Sequence, residues 1–337
     1  MADTLNVAVV GANGVVGKVL LELLEQREFP LAKLYCLGYG GIEDEETALF
    51  KSKNYPLLPF DGFDFSQVDI AIFTDVAGTE VELAVTAAKA GAMVITNQPA
   101  FAYASDIPLV VAGINDEALA ESRNHNIIAV PDASSTLALQ VLKPVYDEVG
   151  LSAVGIVALE AVSSFGEEGI KELAGQTAKL LNAKPIESKV FAKQIAFNVV
   201  PMSGELMESG YTRNESGQIH AIQKVMSDHA LEVDASILQV PVFFGHTLDL
   251  SFDSQQALGV EQLRKLWQRQ KHLHWVGEGV ATAVSDAAES EQIFISRVRA
   301  SAAGTNRFRL TVVADNIRLG QADNMVKIAQ ILAQDYL

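Results

Sequence analysis

A glycine-rich turn near the start of the chain constrains the fold most strongly. The apolar run at 4–10 (TLNVAVV) leads into Gly11, Gly14 and Gly17, and a segment with helical spacing follows. A strand, a turn of small residues and a helix in this order open a βαβ unit. Such a turn lets backbone N–H groups at the positive end of a helix approach a pyrophosphate. The G-x-x-G-x-x-G spacing is a variant of the commoner dinucleotide fingerprint, and a tight turn without a ligand is the alternative.

Strand and helix patterns alternate through the first 130 or so residues. Short apolar runs such as KLYCLG, VDIAIFTDV and NIIAVPD stand between helical segments, which is typical of a doubly wound, mostly parallel sheet. Beyond them the rhythm changes, and strands such as SILQVPVFF and RFRLTVVAD alternate with helices such as VEQLRKLWQRQK. The sequence therefore predicts an α/β protein with a Rossmann-like domain followed by an α+β domain with a mixed or antiparallel sheet.

Composition narrows the class of protein further. The net charge of −17 argues against a nucleic-acid partner, and no apolar run is long enough to predict a membrane span. The first residues read as a strand, not as a signal peptide. The single cysteine, Cys36, excludes an internal disulfide and a cysteine-based zinc site, which favours a cytoplasmic protein. Its place in an apolar strand predicts a buried, inert thiol.

A segment in the middle of the chain carries a family resemblance. Residues 130–144 read VPDASSTLALQVLKP, and GANGVVG, PLVVAGIN, QIAFNVVP, VPVFFGH and VVADNIRLGQADN stand around it in order. These motifs resemble aspartate-semialdehyde dehydrogenases over nearly the whole chain, and in particular the Usg-type paralogues. The resemblance implies a dinucleotide-binding domain at 1–132 plus 320–337, with the closing helix packed on it. It implies an α+β dimerisation and former catalytic domain at 133–319.

The resemblance also implies the reacting residues. In that family a Pro-Asn-Cys-Ser-Thr run places a nucleophilic cysteine at a helix N-terminus, and here Asp132 takes the asparagine position and Ala133 the cysteine position. His246 matches the family's acid–base histidine, and Glu215 matches a glutamate that contacts the substrate amino group. Loss of a covalent nucleophile can cost on the order of a million-fold in turnover. The phosphorylating semialdehyde dehydrogenase activity is therefore expected to be lost.

Other positions also lack the side chains that the family uses for its reaction. Glu160 stands in place of a glutamine that positions the acyl group, and Phe165 lies in what is usually a compact turn. Ala102 and Gln239 replace arginines that hold phosphate and the substrate carboxylate, and Gly217 replaces a lysine. Arginine supplies bidentate hydrogen bonds to phosphate and to carboxylates, so these replacements remove the groups that recognise the two anions. His246 and Glu160 remain as candidates for acid–base work.

The cofactor is expected to be NAD or NADP. Under the resemblance, the cofactor-binding residues are Gly11, Asn13, Gly14, Val15, Val16 and Asn324. Four acidic residues at 43–46 follow the second strand, and they would repel the additional phosphate of NADP if they faced the site. NAD is therefore slightly favoured, although a solvated loop explains the same charges. We predict no metal site, because His272 and His274 have no convergent third ligand.

Three functions stay open from the sequence. The first is a non-catalytic paralogue that keeps the dinucleotide fold and a homodimer, with a heteromer with an active paralogue as a further possibility. The second is an oxidoreductase that acts on a different aldehyde or alcohol by direct hydride transfer. The third is an interaction protein without a nucleotide. Ser134, Ser135 and Thr136 are expected to cap the helix that follows Asp132 and not to replace the missing nucleophile.

Overall fold

The computed structural model describes residues 4–38, 46–74, 80–302 and 306–336. The chain divides into two compact units, Met1–Pro131 with Gln321–Leu337, and Asp132–Gly320. Each unit is built on its own sheet, so the predicted two-part α/β fold is observed. In chain order, the helices and strands are β1 (Leu5–Val10), α1 (Val15–Gln26), β2 (Leu31–Gly38), β3 (Thr47–Phe50), β4 (Lys53–Pro59), β5 (Ile70–Phe73), α2 (Glu80–Lys89), β6 (Met93–Thr96), α3 (Pro99–Ala102), β7 (Ile127–Ala129), α4 (Ala133–Val149), β8 (Leu151–Glu160), α5 (Gly166–Leu181), α6 (Arg213–Val225), β9 (Glu232–Gln239), β10 (His246–Ser254), α7 (Val260–Trp267), β11 (Leu273–Trp275), β12 (Ile293–Ala300), β13 (Arg307–Ala314) and α8 (Asp323–Asp335). Short 3₁₀ turns lie at Phe65–Gln67, Asp116–Asn124 and Val162–Phe165, and π-helical turns lie at Ala283–Ala287 and Arg318–Ala322.

The first unit has a sheet with the strand order β3-β4-β2-β1-β5-β6-β7 over its described residues. All neighbouring strands from β4 to β7 run parallel, and β3 pairs antiparallel with β4 at one edge. Val7, Val9 and Val10 of β1 are completely buried, as expected for a central parallel strand covered on both faces. Cys36 lies in β2 beside Val9, and burial raises the pKa of its thiol to about 12. The predicted burial of the thiol is confirmed, and its raised pKa disfavours the reactive thiolate.

The glycine turn connects β1 to α1. Gly11 has a φ of +87°, which favours glycine, and Gly14 directly precedes the helix as its N-cap. A Cβ on Gly17 would lie 2.1 Å from the carbonyl oxygen of Gly11. Glycine at position 17 therefore lets the first turn of α1 pack directly on the turn that precedes it.

The second unit has a mixed sheet with the strand order β11-β12-β13-β10-β8-β9 over its described residues. Alternate residues of β8 and β10 are buried, and α4 contacts both strands on the buried face. Trp267 of α7 is completely buried and its indole N–H donates to the carbonyl oxygen of Val141 in α4, at 2.9 Å. The apolar layer between the sheet and these helices fixes the position of the α4 N-terminus. No helix among the described residues has the length and hydropathy of a membrane span.

Candidate functional site

The N-terminus of α4 is the centre of the candidate site. The helix begins at Ala133, and the side chain of its N-cap, Asp132, accepts a hydrogen bond from Ser135 N at 2.9 Å. Ala133 is 3% exposed. A Cβ added to Gly320 would lie 2.6 Å from the Cβ of Ala133, so the alanine methyl group packs close to the Gly320 backbone. The position offers no nucleophile at the positive end of the helix.

Two serines after Ala133 bond to carboxylates. The hydroxyl of Ser135 donates to Asp132 Oδ2 at 2.5 Å. The prediction that the hydroxyls of Ser134, Ser135 and Thr136 cap the helix was wrong, because the carboxylate of Asp132 takes the N-cap position and accepts from Ser135 N. Ser134 Oγ lies 2.8 Å from Asp132 Oδ1 and 2.7 Å from Glu160 Oε1. Ser134 therefore links the start of α4 to the end of β8. Thr136 Oγ1 is buried without a hydrogen-bond partner among the described residues.

The second unit's sheet brings three of the predicted residues into one row. Glu160 at the end of β8 pairs with Gln239 at the end of β9. On the other side of β8, Thr247 of β10 pairs with Leu159, which places His246 beside Glu160 one residue further along. Gln239, Glu160 and His246 are 4%, 7% and 1% exposed. The register thus gathers polar side chains at one end of an otherwise apolar sheet face.

Burial shifts both titratable members of this row towards their neutral forms. Desolvation, and then the negative charge of Asp132, raise the pKa of Glu160 from 4.5 to about 7, although hydrogen bonds from Ser134 and Ser203 oppose the rise. Desolvation lowers the pKa of His246 to about 3. His246 Nδ1 accepts a hydrogen bond from Ala161 N at 3.1 Å. The neutral imidazole therefore carries its proton on Nε2.

Both carboxylate oxygens of Glu215 accept hydrogen bonds from residues of the same unit. Its Oε2 accepts hydrogen bonds from Thr212 N at 2.7 Å and from the Thr212 hydroxyl at 2.9 Å. Its Oε1 accepts from Ile237 N at 3.0 Å. Thr212 and Glu215 form a capping box at the start of α6, and the bond to Ile237 ties that helix to β9. The carboxylate therefore has a structural role in this chain, and its predicted contact with a substrate amino group stays a prediction.

The cofactor-related residues of the first unit form two groups. Gly11, Asn13 and Gly14 make the turn, and Val15 and Val16 begin α1, whose N-cap has no side-chain hydrogen bond. Asn324 lies in α8, and its Oδ1 accepts from Ala112 N at 2.8 Å while its Nδ2 donates to the carbonyl oxygen of Val110 at 3.1 Å. Asn324 is therefore a buried tie between α8 and the PLVVAGIN segment.

The turn fits a pyrophosphate. Its helix N-terminus has no capping side chain, and Gly17 allows the close packing that a dinucleotide-binding turn needs. The acidic run that favours NAD is mostly outside the described residues, since Glu43, Asp44 and Glu45 are not among them, while Glu46 is exposed. Among the described residues, no group of three or more His, Cys, Asp or Glu side chains is placed to hold a metal ion.

Comparison with known proteins shows the family. Residues 6–122 match the semialdehyde dehydrogenase NAD binding domain, and residues 142–319 match the semialdehyde dehydrogenase dimerisation domain. Aspartate-semialdehyde dehydrogenase 2 of Vibrio cholerae is 40% identical over 337 residues, covering 100% of both chains. The chain belongs to the aspartate-semialdehyde dehydrogenase family.

Further members of the family resemble it over their whole length. The crystal structure of aspartate semialdehyde dehydrogenase II from Vibrio cholerae, complexed with ASA, has a TM-score of 0.96 at 39% identity and covers 99% of this chain and 100% of its own. The USG-1 protein homolog of Pseudomonas aeruginosa is 34% identical over 338 residues and covers 100% of both chains. The relatives therefore include both enzymes named for the activity and a Usg-type homologue.

Two polar residues of the second-unit site are not indicated by the sequence patterns. Ser203 is completely buried, and its side chain bonds to Glu160. Asn316 is also completely buried, and its Oδ1 accepts from Gly245 N at 2.9 Å next to His246. Ser203 lies in a loop without periodicity, so no local signal marks it. Asn316 lies inside the VVADNIRLGQADN motif, which could have drawn attention to it.

Proposed function

We propose that this family member keeps the dinucleotide-binding fold and a homodimer, and that it has lost phosphorylating semialdehyde dehydrogenase activity. Ala133 carries the proposal, because the first residue of α4 holds only a methyl group where thioester chemistry needs a thiolate. Several relatives are named for the activity, so the loss rests on the residues of this chain. Ala102, Gln239 and Gly217 support it, because none of them carries the positive charge that forms an ion pair with phosphate or a carboxylate.

The homodimer is supported by the match of residues 142–319 to a dimerisation domain. A heteromer with an active paralogue is the alternative assembly. We further propose that the domain division lies close to positions 132 and 320, where the chain passes from one compact unit to the other. Sedimentation equilibrium of the purified chain measures whether it self-associates.

The glycine turn is the part of the chain that would hold the cofactor. A bound nicotinamide dinucleotide supplies a hydride acceptor or donor. The backbone of Gly11, Asn13 and Gly14, with the first turn of α1 at Val15 and Val16, would hold its pyrophosphate. Asn324 would support the neighbouring segment through its bonds to Ala112 and Val110.

Calorimetric titration should therefore detect binding of NAD or NADP at millimolar concentration or below. Gly14→Asp should abolish that binding, because a carboxylate at the helix N-cap repels the pyrophosphate. The same variant should fold at least as stably, because Gly14 has φ −74° and ψ 173°, where aspartate is a favoured N-cap. Failure of both dinucleotides to bind the unmodified chain would refute the retained cofactor site. Equal binding by the variant would place the site elsewhere.

The second test concerns the lost reaction. With aspartate semialdehyde, phosphate and NADP, the chain should show no reduced cofactor above background, and Ala133→Cys alone should not restore it. The reason is that Ala102 and Gln239 still lack the guanidinium groups that hold the two anions. The Vibrio cholerae enzyme, assayed in parallel, is the positive control. Measurable turnover by the single variant would show that the missing arginines matter less than the missing thiol.

An oxidoreductase that acts by direct hydride transfer is the second candidate. The observation that favours it is the pair Glu160 and His246, because both hold protons at one end of the buried sheet face. Proton exchange of this kind needs no cysteine. A screen of aldehydes and alcohols without phosphate tests it, and reduced or oxidised cofactor formed above background would favour it over the non-catalytic proposal.

A further inference from the structure

A turn in the second unit displays a bulky aromatic side chain from an unfavourable backbone conformation. Phe197 has a φ of +58°, in the left-handed region that bulky residues rarely adopt. The residue is 67% exposed, so packing of the ring within the chain does not offset the cost of this conformation. A conformation of this kind persists only where the surrounding structure imposes it. We name residues 195–199 the Phe197 turn.

The neighbours of Phe197 impose the conformation. Ile195 and Ala196 are completely buried. Their N–H groups both donate to Oε1 of Gln176 in α5, at 2.9 and 3.1 Å. On the other side of the ring, Asn198 N donates to the carbonyl oxygen of Ile195 at 3.1 Å and closes the turn. The chain on both sides of Phe197 is therefore fixed, and the ring is held outwards.

The Phe197 turn borders the edge strand β9 of the second sheet. Val200 directly follows the turn and forms two backbone hydrogen bonds with Gln239 of β9, at 2.9 and 3.0 Å. Further along the chain, the exposed Tyr211 donates through its hydroxyl to Asp234 Oδ1 of β9, at 2.9 Å. The segment that begins at the Phe197 turn is therefore tied to β9 at two places.

One row of side chains on the exposed face of this sheet changes from acidic to basic. In register across five strands, the row consists of Asp234 of β9, Gly155 of β8, Ser251 of β10, Arg309 of β13 and Arg299 of β12. Neighbouring strands lie about 4.8 Å apart, so the two ends of the row are separated by roughly 19 Å. The small residues in the middle leave a hollow of 770 Å³. The face therefore carries opposite charges at its two ends.

Such a row is complementary to a second copy of itself. If a twofold axis passes through the hollow, the acidic end of each row meets the basic end of the other. Asp234 bonds to the Tyr211 hydroxyl, and Arg299 bonds to the carbonyl oxygen of Arg297, so these two contacts leave both charges available. The exposed large apolar side chains of the described residues also lie mostly in this unit. The chemistry of the surface thus fits another copy of the chain.

We propose that the Phe197 turn is an anchor of the homodimer. Each copy packs its exposed ring against the partner copy, and the charged rows of the two copies pair in opposite directions. Burial of the ring on association offsets the cost of the left-handed backbone, which nothing offsets in the free chain. Aromatic side chains are enriched in protein interfaces and often dominate their affinity. The inference rests on the proposed homodimer and assigns the surface that forms it.

Sedimentation equilibrium of the full chain tests the anchor. Phe197→Asn should raise the dissociation constant of the dimer at least about tenfold, which corresponds to 1.4 kcal/mol. Asparagine tolerates the left-handed conformation, so the turn and the circular dichroism spectrum should be unchanged. Leu49→Asn is the matched control, because Leu49 is also 67% exposed but lies in the first unit, and it should leave the constant unchanged. Equal responses of the two variants would overturn the anchor.

Charge reversal tests whether the occupant is a second copy. Asp234→Arg and Arg299→Asp should each raise the dissociation constant, because like charges then meet across the interface. When both reversals are present in one chain, the constant should fall below that of either single variant. The two positions are too far apart in one chain to pair with each other, so this recovery requires a partner copy. A double variant that associates no better than the single variants would overturn the pairing of the rows.

The same measurements separate this inference from the homodimer itself. A monomeric unmodified chain would overturn the homodimer together with the assigned surface. A dimer whose dissociation constant does not respond to Phe197→Asn would overturn the anchor and leave the homodimer standing.

Discussion

Ionisation of Glu160 should lower the free energy of unfolding by roughly 3 kcal/mol as the pH rises. Replacing Glu160 by glutamine should remove this decrease. The folded state raises the pKa of this carboxyl from 4.5 to about 7. Between these values the folded chain holds a proton that the unfolded chain has released, so the stabilisation is complete below pH 4.5 and is lost as the pH rises through 7. Glutamine does not titrate, and its amide oxygen can accept the hydrogen bond that Ser134 donates to Glu160. The variant should therefore be more stable than the original chain at pH 8.

Urea unfolding of both proteins at several pH values between 4.5 and 8 measures this difference. His246 acts in the opposite direction, because its folded pKa of about 3 lies below its usual 6.5, so its stabilisation is lost as the pH falls below 6.5. Both proteins contain His246, and its contribution cancels in the comparison. A difference in unfolding free energy that stays constant over the range would show that Glu160 is ionised in the folded protein.

The fold could be predicted from the sequence, because the patterns that indicate its strands and helices are local. The apolar run of β1, the glycine turn and the helical spacing after it lie within a few residues of one another. Gly17 shows the limit of that information. The sequence predicts a small residue there, but only the structure shows that the Gly11 carbonyl oxygen occupies the space of a side chain.

Only part of the candidate site could be predicted from the sequence, because strand register sets its geometry. Gln239, Glu160 and His246 come from β9, β8 and β10, and no spacing in the sequence indicates that they share a row. Ser203 joins them from an irregular loop. Glu215 shows the opposite case. The residues Thr212 and Glu215 have capping-box spacing, a local pattern that was available from the sequence, and family resemblance drew attention to a substrate contact instead.

Gly17→Ala should destabilise the chain by about 3 kcal/mol or more. The added Cβ would lie 2.1 Å from the Gly11 carbonyl oxygen and 2.9 Å from the Cα of Ala12. Both are backbone atoms, so no side-chain rotation relieves the overlap, and α1 must move away from the turn after β1. Urea unfolding measures the loss. Calorimetry of the folded fraction should also show weaker dinucleotide binding, because the displaced helix N-terminus no longer faces the pyrophosphate.

Gly175→Ala provides the matched control, since the same substitution inside α5 should have the opposite sign. A Cβ there meets no atom within 4 Å, and alanine in a helix interior is favoured over glycine by roughly 0.5–1 kcal/mol. Equal effects of the two variants would mean that general helix propensity determines the response at position 17. A loss confined to Gly17→Ala would instead locate the constraint in the contact between α1 and the glycine turn. That contact, and not helix formation, would then be the reason why a glycine is required in the element proposed to bind the cofactor.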